Sequence, residues 1–178
     1  MTNVRLLSSC LLATSFCLSL PSYAQDIEKP FIGVDYSQRT YENTSSSVTD
    51  TETPAVRLRA GSVLAQYIGV EAHIAFGTGE DSGTINGSPY TLESPLSYGV
   101  FLRPQLPLGP LTIYGLAGYS YVELKYSSTV GTPTDSITDA SFGGGLQVDL
   151  GQSWGVNADY IQYVKGFSAV SAGVLYRF

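Results

Sequence analysis

His73 is the only histidine in the chain, and Glu71 stands two residues before it. A histidine beside a carboxylate is where a general base would first be sought, because its proton exchanges near neutral pH. Further charges recur along the sequence at Asp35, Arg57, Arg59, Arg103, Asp139, Asp149, Asp159 and Arg177. Both cysteines, Cys10 and Cys17, fall within the first 24 residues. Those residues read as a leader, so the remainder offers no disulfide, thiol nucleophile or Cys-ligated metal. One histidine and no cysteine also make a metal site unpromising, and no cofactor is expected. What the charges can do depends on which face of which element they share.

The elements are strands. The last twelve residues alternate Phe178, Tyr176, Val174, Ala172, Val170 and Ser168 with Arg177, Leu175, Gly173, Ser171 and Ala169. A strand turns successive side chains to opposite faces, so one face here is apolar and the other small or polar apart from Leu175. That pattern suits a strand with lipid on one side and a crowded polar lumen on the other. Seven earlier segments alternate in the same way: residues 31–41, 55–62, 67–76, 94–103, 111–126, 137–150 and 154–163. The third is the clearest, with Ile68, Val70, Ala72, Ile74 and Phe76 opposed to Gly69, Glu71, His73 and Ala75. The fifth is the least clear in phase, since Tyr114, Leu116, Val122, Leu124 and Tyr126 share one parity and Tyr119, Tyr121, Glu123 and Lys125 the other.

The connections alternate as well. Polar stretches at 42–53, 77–92 and 127–136 are long, with Asn86-Gly87 expected as a tight turn inside the second. The links near 65–66, 104–110 and 151–153 are short, and so is the one at 164–166. Pro104, Pro107 and Pro110 are expected to break the chain, because proline cannot donate to a ladder. Short turns on one side and long loops on the other are the habit of transmembrane barrels, with the long loops outside. Strands of this length fit a tilted crossing of the bilayer.

The ends and the composition agree. Met1 to Ala24 carries one positive charge at Arg5, an apolar run, and small residues at Ser22 and Ala24 before Gln25. That reads as a signal peptide rather than a membrane anchor, since the run is short and broken by Ser and Thr. The expected domains are therefore a signal peptide at 1–24 and a single barrel domain at 25–178. Without Arg5, eight basic side chains face fifteen acidic ones, a net charge of −7. This is no nucleic-acid footprint. No other segment is long and apolar enough to cross as a helix, and a closed barrel is the other structure that satisfies its own backbone in lipid. The expected fold is all-β: an eight-stranded antiparallel up-and-down transmembrane β-barrel.

Phe142-Gly-Gly-Gly-Leu-Gln-Val-Asp149 in the sixth strand and the terminal Val174-Leu-Tyr-Arg-Phe178 carry a resemblance. With the architecture, they make the whole mature chain resemble the small eight-stranded outer-membrane barrels of the OmpA-like and OmpX-like type. The resemblance implies an address in the bacterial outer membrane, among its lipids and lipopolysaccharide. It also implies that Tyr176 and Phe178 act as an assembly signal read by the barrel-assembly machinery. No peptidoglycan-binding domain follows Phe178 in this sequence, so the anchoring role of two-domain relatives does not carry over. Some small outer-membrane barrels are lipid A-modifying enzymes that use a histidine with a serine and an acid. This chain lacks a His-x-Ser pair, and His73 falls mid-strand rather than at the outer rim.

An eight-stranded barrel is only wide enough for its own side chains. Charges inside it must pair, because an isolated ion away from bulk water is costly. Asp35, Arg57, Arg59, Glu71, His73, Arg103, Asp139, Asp149, Asp159 and Arg177 are therefore expected to form a structural lumen network, with an ion-conducting lumen as the alternative. Tyr67, Tyr98, Tyr114, Tyr126, Trp154, Tyr160, Tyr176 and Phe178 are candidates for the aromatic girdles at the two interfaces. The loop acids Glu42, Asp50, Glu52, Glu80, Asp81 and Asp135 are expected on a solvated surface, without calcium-binding spacing but open to a host or surface ligand. The leading reading is a non-enzymatic outer-membrane barrel with an envelope or surface-contact role. A narrow channel or transporter for small solutes and a lipid A-modifying enzyme are the alternatives.

Overall fold

A computed structural model describes residues 30–41, 51–85, 88–93, 95–127 and 134–178. Among them ten strands follow one another. β1 is Phe31–Tyr41, β2 Thr51–Ala65, β3 Ile68–Gly77, β4 Glu80–Ile85 and β5 Ser88–Glu93. β6 is Leu96–Leu108, β7 Leu111–Ser127, β8 Thr134–Leu150, β9 Trp154–Val164 and β10 Phe167–Arg177. All pairings are antiparallel, and β1, β2, β3, β6, β7, β8, β9 and β10 form the wall. β1 pairs with β10, and β7 pairs with β8, so the sheet closes on itself as an eight-stranded barrel. Closure leaves the wall no free edge, which is what a sheet in lipid requires.

The expected alternation appears as side-chain burial. In β3, Glu71, His73 and Ala75 are buried while Ile68, Val70, Ile74 and Phe76 face out. Two residues, Gln66 and Tyr67, link β2 to β3; Gly109 and Pro110 link β6 to β7; and Gly151 to Ser153 link β8 to β9. Gly109 adopts φ 70°, in the left-handed region that favours glycine, where the chain turns back between the paired Leu108 and Leu111. These short links lie at the end that holds both described termini, the periplasmic rim by the usual orientation of such barrels.

Several expectations need correction. The stretch 77–92 is not a plain loop: β4 and β5 form a hairpin from Glu80↔Glu93 to Ile85↔Ser88, and Thr91 to Glu93 pair with the outer end of β7. Asn86 and Gly87, the expected tight turn, lie outside the described residues. Neither Pro104 nor Pro107 breaks the chain, because β6 runs through both to Leu108. The Gln105 amide donates to the Tyr67 carbonyl at 2.9 Å, so the preceding residue, Pro104, turns its absent donor toward β7. There the bridging skips from Leu102↔Ala117 to Gln105↔Tyr114 and resumes in the same register. β7 resolves its phase: Tyr114, Leu116, Val122 and Leu124 face inward, and Ile113, Ala117 and Tyr119 face outward.

Candidate functional site: the filled lumen

The lumen charges come from strands whose neighbours bring them level. Asp35 on β1 lies opposite Arg57 on β2, and Arg59 lies opposite His73 on β3. On the far wall, Asp159 on β9 lies beside Gly145, whose missing side chain leaves space for the Asp159 Cβ and for the Tyr114 hydroxyl.

Asp35, Arg57 and Asp159 form the inner knot. Arg57 Nε donates to Asp35 Oδ2 at 2.8 Å, and its Nη2 donates to Asp159 Oδ2 at 2.7 Å. Asn157 Nδ2 donates to the other Asp35 oxygen at 3.0 Å. Asp159 Oδ2 also accepts the Tyr114 hydroxyl at 2.9 Å and Arg59 Nη1 at 3.3 Å. Arg59 reaches onward to Glu71, with Nη2 2.5 Å from Oε1. Glu71 is then shared: His73 Nε2 lies 2.6 Å from Oε1, and Arg103 Nη1 lies 3.4 Å from Oε2. Arg103 Nη2 donates to Gln147 at 2.8 Å, and Gln147 donates to Asp149 at 2.9 Å. Asp149 finally holds Arg177 through two bonds of 2.7 and 2.8 Å. One run of contacts thus links Asp35 to Arg177.

Nine of the ten residues expected in the lumen meet in this run. Asp139 does not. It has the inward parity, but it stands near the outer end of β8, exposed, and its carboxylate accepts the Ala140 amide at 2.7 Å. Neutral residues supply much of what charge reading missed: Tyr114, Gln147 and Asn157 are the bridges. Tyr114 is therefore a lumen residue and not a girdle residue; Arg103 lies over its ring at 4.1 Å. Arg39, fully buried on β1, was also missed. Its signal was plain: it follows Asp35 and Ser37 at the same parity.

Above this run the lumen turns largely apolar, with the buried Arg39 level with Ala169 and Ile161. Phe101, Leu116, Val122, Leu124, Ile161, Tyr163, Val164 and Phe167 make one buried cluster. Phe101 joins the two layers, 4.6 Å from the His73 ring and 6.4 Å from Tyr163. Below Arg103, a hollow of about 320 Å³ lies between Gln147 and the Asp149–Arg177 pair.

Chemically, the arrangement sets each arginine of the run against a carboxylate. A nucleophile needs a hydrogen bond to its base. The nearby Ser97 and Ser120 hydroxyls have no hydrogen-bond partner, and His73 spends Nε2 on a carboxylate that Arg59 also holds. Among the described residues no group of three or more His, Cys, Asp or Glu is placed to hold a metal ion.

On the outside, Trp154, Tyr176 and Phe178 stack edge-on at 5.1 and 5.4 Å at the periplasmic rim. Tyr67 lies at the same rim, while Tyr98 stacks on Tyr121 at 4.8 Å toward the other end of the wall. Tyr160 faces out, and the Tyr126 side chain lies outside the described residues.

Comparison with known proteins places this geometry. No curated protein sequence matches the chain. Among solved structures, Ail, the attachment invasion locus protein of Yersinia pestis, in complex with the heparin analogue sucrose octasulfate, is 19% identical. The match covers 85% of this chain and 98% of that one, with a TM-score of 0.57. Neisserial surface protein A is 13% identical over 86% of this chain and 100% of its own, with a TM-score of 0.61. OprG from Pseudomonas aeruginosa is 12% identical over 85% and 96%, also with a TM-score of 0.61. At such identities these likenesses speak for the fold alone. A family model described as the outer membrane protein beta-barrel domain matches residues 9–178. The chain belongs to that family, and its place is the bacterial outer membrane.

Proposed function

We propose that this protein is a non-enzymatic, non-conducting outer-membrane barrel that stabilises the envelope and makes surface contacts through its extracellular ends. The observation that carries this reading is the filled lumen. From the Arg103–Gln147 bridge to the Asp35–Arg57–Asp159 knot the interior is occupied by paired charges, and from Phe101 to Phe167 by packed apolar side chains with the buried Arg39 at their level. An interior so occupied offers neither an aqueous path nor a substrate cleft. What remains for contact is the outer extension, where β4 and β5 pair with the far end of β7, and β7 with β8.

The chemistry of that extension favours a basic or uncharged partner. Its sequence carries Glu42, Asp50, Glu52, Glu80, Asp81 and Asp135 against few cations, Lys125 and Lys165 among them. Ail was captured with a polyanion, a heparin analogue. An acidic rim repels that class of ligand, so this chain's contacts differ in charge. The leader at 1–24 and the assembly role of Tyr176 and Phe178 belong to the same proposal.

Two experiments test it. Lipid A from a host expressing the protein is expected to keep an unchanged acylation pattern by mass spectrometry; gain or loss of an acyl chain overturns the non-enzymatic half. Replacing residues 80–93 with a short turn is expected to leave a folded barrel, seen by heat-modifiable migration, that no longer adheres to cationic or neutral cell surfaces. Undiminished adhesion overturns the assignment of the contact surface.

A further inference from the structure

The outward face of the wall is uneven. Successive strand pairings give one row that runs Trp154, Tyr176, Ile32, Ala60, Ala72 and Val100. All of it faces lipid, and every member except the two alanines is large. Two small neighbours cut a dip about two strands wide, at about 4.8 Å per strand. Leu58 and Ile74, paired one step toward the outer side, wall it there. Two hollows of about 690 and 590 Å³ meet on Ala60 and Ala72. The larger reaches Trp154 and Tyr176, so it lies in the periplasmic half of the wall.

We propose that this hollow is a binding site for one acyl chain of a periplasmic-leaflet phospholipid. The wall stands in the outer membrane, so hydrocarbon is what meets it. A chain lying in the dip touches a floor and two flanks, whereas a chain on the convex wall touches one side, and dispersion rewards the fuller contact. The larger hollow holds roughly twenty water-sized volumes of about 30 Å³ each, and a methylene group is of similar size. That is the scale of one long chain. The charged residues at its border, Arg59 and His73, turn into the lumen, so the site selects the chain and not the headgroup. The Trp154–Tyr176 pair marks where the chain meets the interface, the level at which amphipathic rings settle.

The test is native mass spectrometry of the barrel released from nanodiscs of mixed phosphatidylethanolamine and phosphatidylglycerol, and from native outer membrane. The expected result is one retained phospholipid with either headgroup. Ala60→Leu/Ala72→Leu, which fills the dip, is expected to lose it while keeping heat-modifiable migration. Val100→Leu, on the same row beyond the dip, is expected to keep it. If the double variant does not fold, the single Ala72→Val is expected to reduce retention. A wild-type barrel without retained lipid, retention unaffected by the filled dip, dependence on headgroup, or retention of lipid A alone overturns the proposal.

Discussion

Asp159 is the residue on which the charge network turns. One of its oxygens accepts Arg57, Arg59 and Tyr114 together. Removing one partner of a buried pair leaves the others uncompensated, at a cost of about 3–5 kcal/mol. Asp159→Asn is therefore expected to lower the urea midpoint of the detergent-folded barrel by an amount equivalent to that cost. Asp139→Asn, on an exposed carboxylate that caps one amide, is expected to stay within about 0.5 kcal/mol of the parent. Equal effects from the two would contradict the distinction drawn between them. The parity of Asp139 was legible in the sequence, but its height was not. A period of two says which way a side chain points and nothing about how near the rim it stands.

At the scale of the strand, hydropathy reads the wall well where each face meets a different medium. β1 was legible up to Arg39, because Ile32, Val34 and Tyr36 meet lipid while Asp35 meets Arg57 and Ser37 meets the Ser171 hydroxyl. β7 was ambiguous because its inner neighbours are Ile161, Tyr163 and Phe167, so Leu116, Val122 and Leu124 are apolar without facing lipid. The β4–β5 hairpin was invisible to the same reading, since its ladder is made by backbone groups outside the bilayer. Prolines misled for a related reason: β6 places Pro104 where the ladder to β7 is already unbridged. Pro104→Val restores a donor facing β7, level with Gly115, and is expected to slow amide exchange at Gly115. Exchange at unchanged or faster rates would show that the gap has another cause. Gly118 makes the opposite case. A Cβ there would collide with the Val100 carbonyl, so Gly118→Ala is expected to loosen the β6–β7 pairing and lower the unfolding midpoint. A variant as stable as the parent would place the two strands further apart than described.

For the whole molecule, the closed sheet was readable from alternation and loop lengths, its address from the family resemblance, and the content of the lumen only in part. The charges were named, but the neutral bridges Tyr114, Gln147 and Asn157 and the apolar upper layer carry no charge to announce them. Those residues decide between a conduit and a solid strut, because paired charges alone could still leave water between them. Deleting Phe178 is expected to reduce the folded yield in cells without altering the barrel that refolds in detergent; normal yield in cells would remove its assembly role. The claim on which the account rests is that the lumen is closed, and single-channel recording in planar bilayers reads it directly. The folded wild type is expected to show no discrete conductance, while Phe167→Ala combined with Arg103→Ala, which opens both layers, raises ion leak. Stable conductance steps from the wild type would contradict the account.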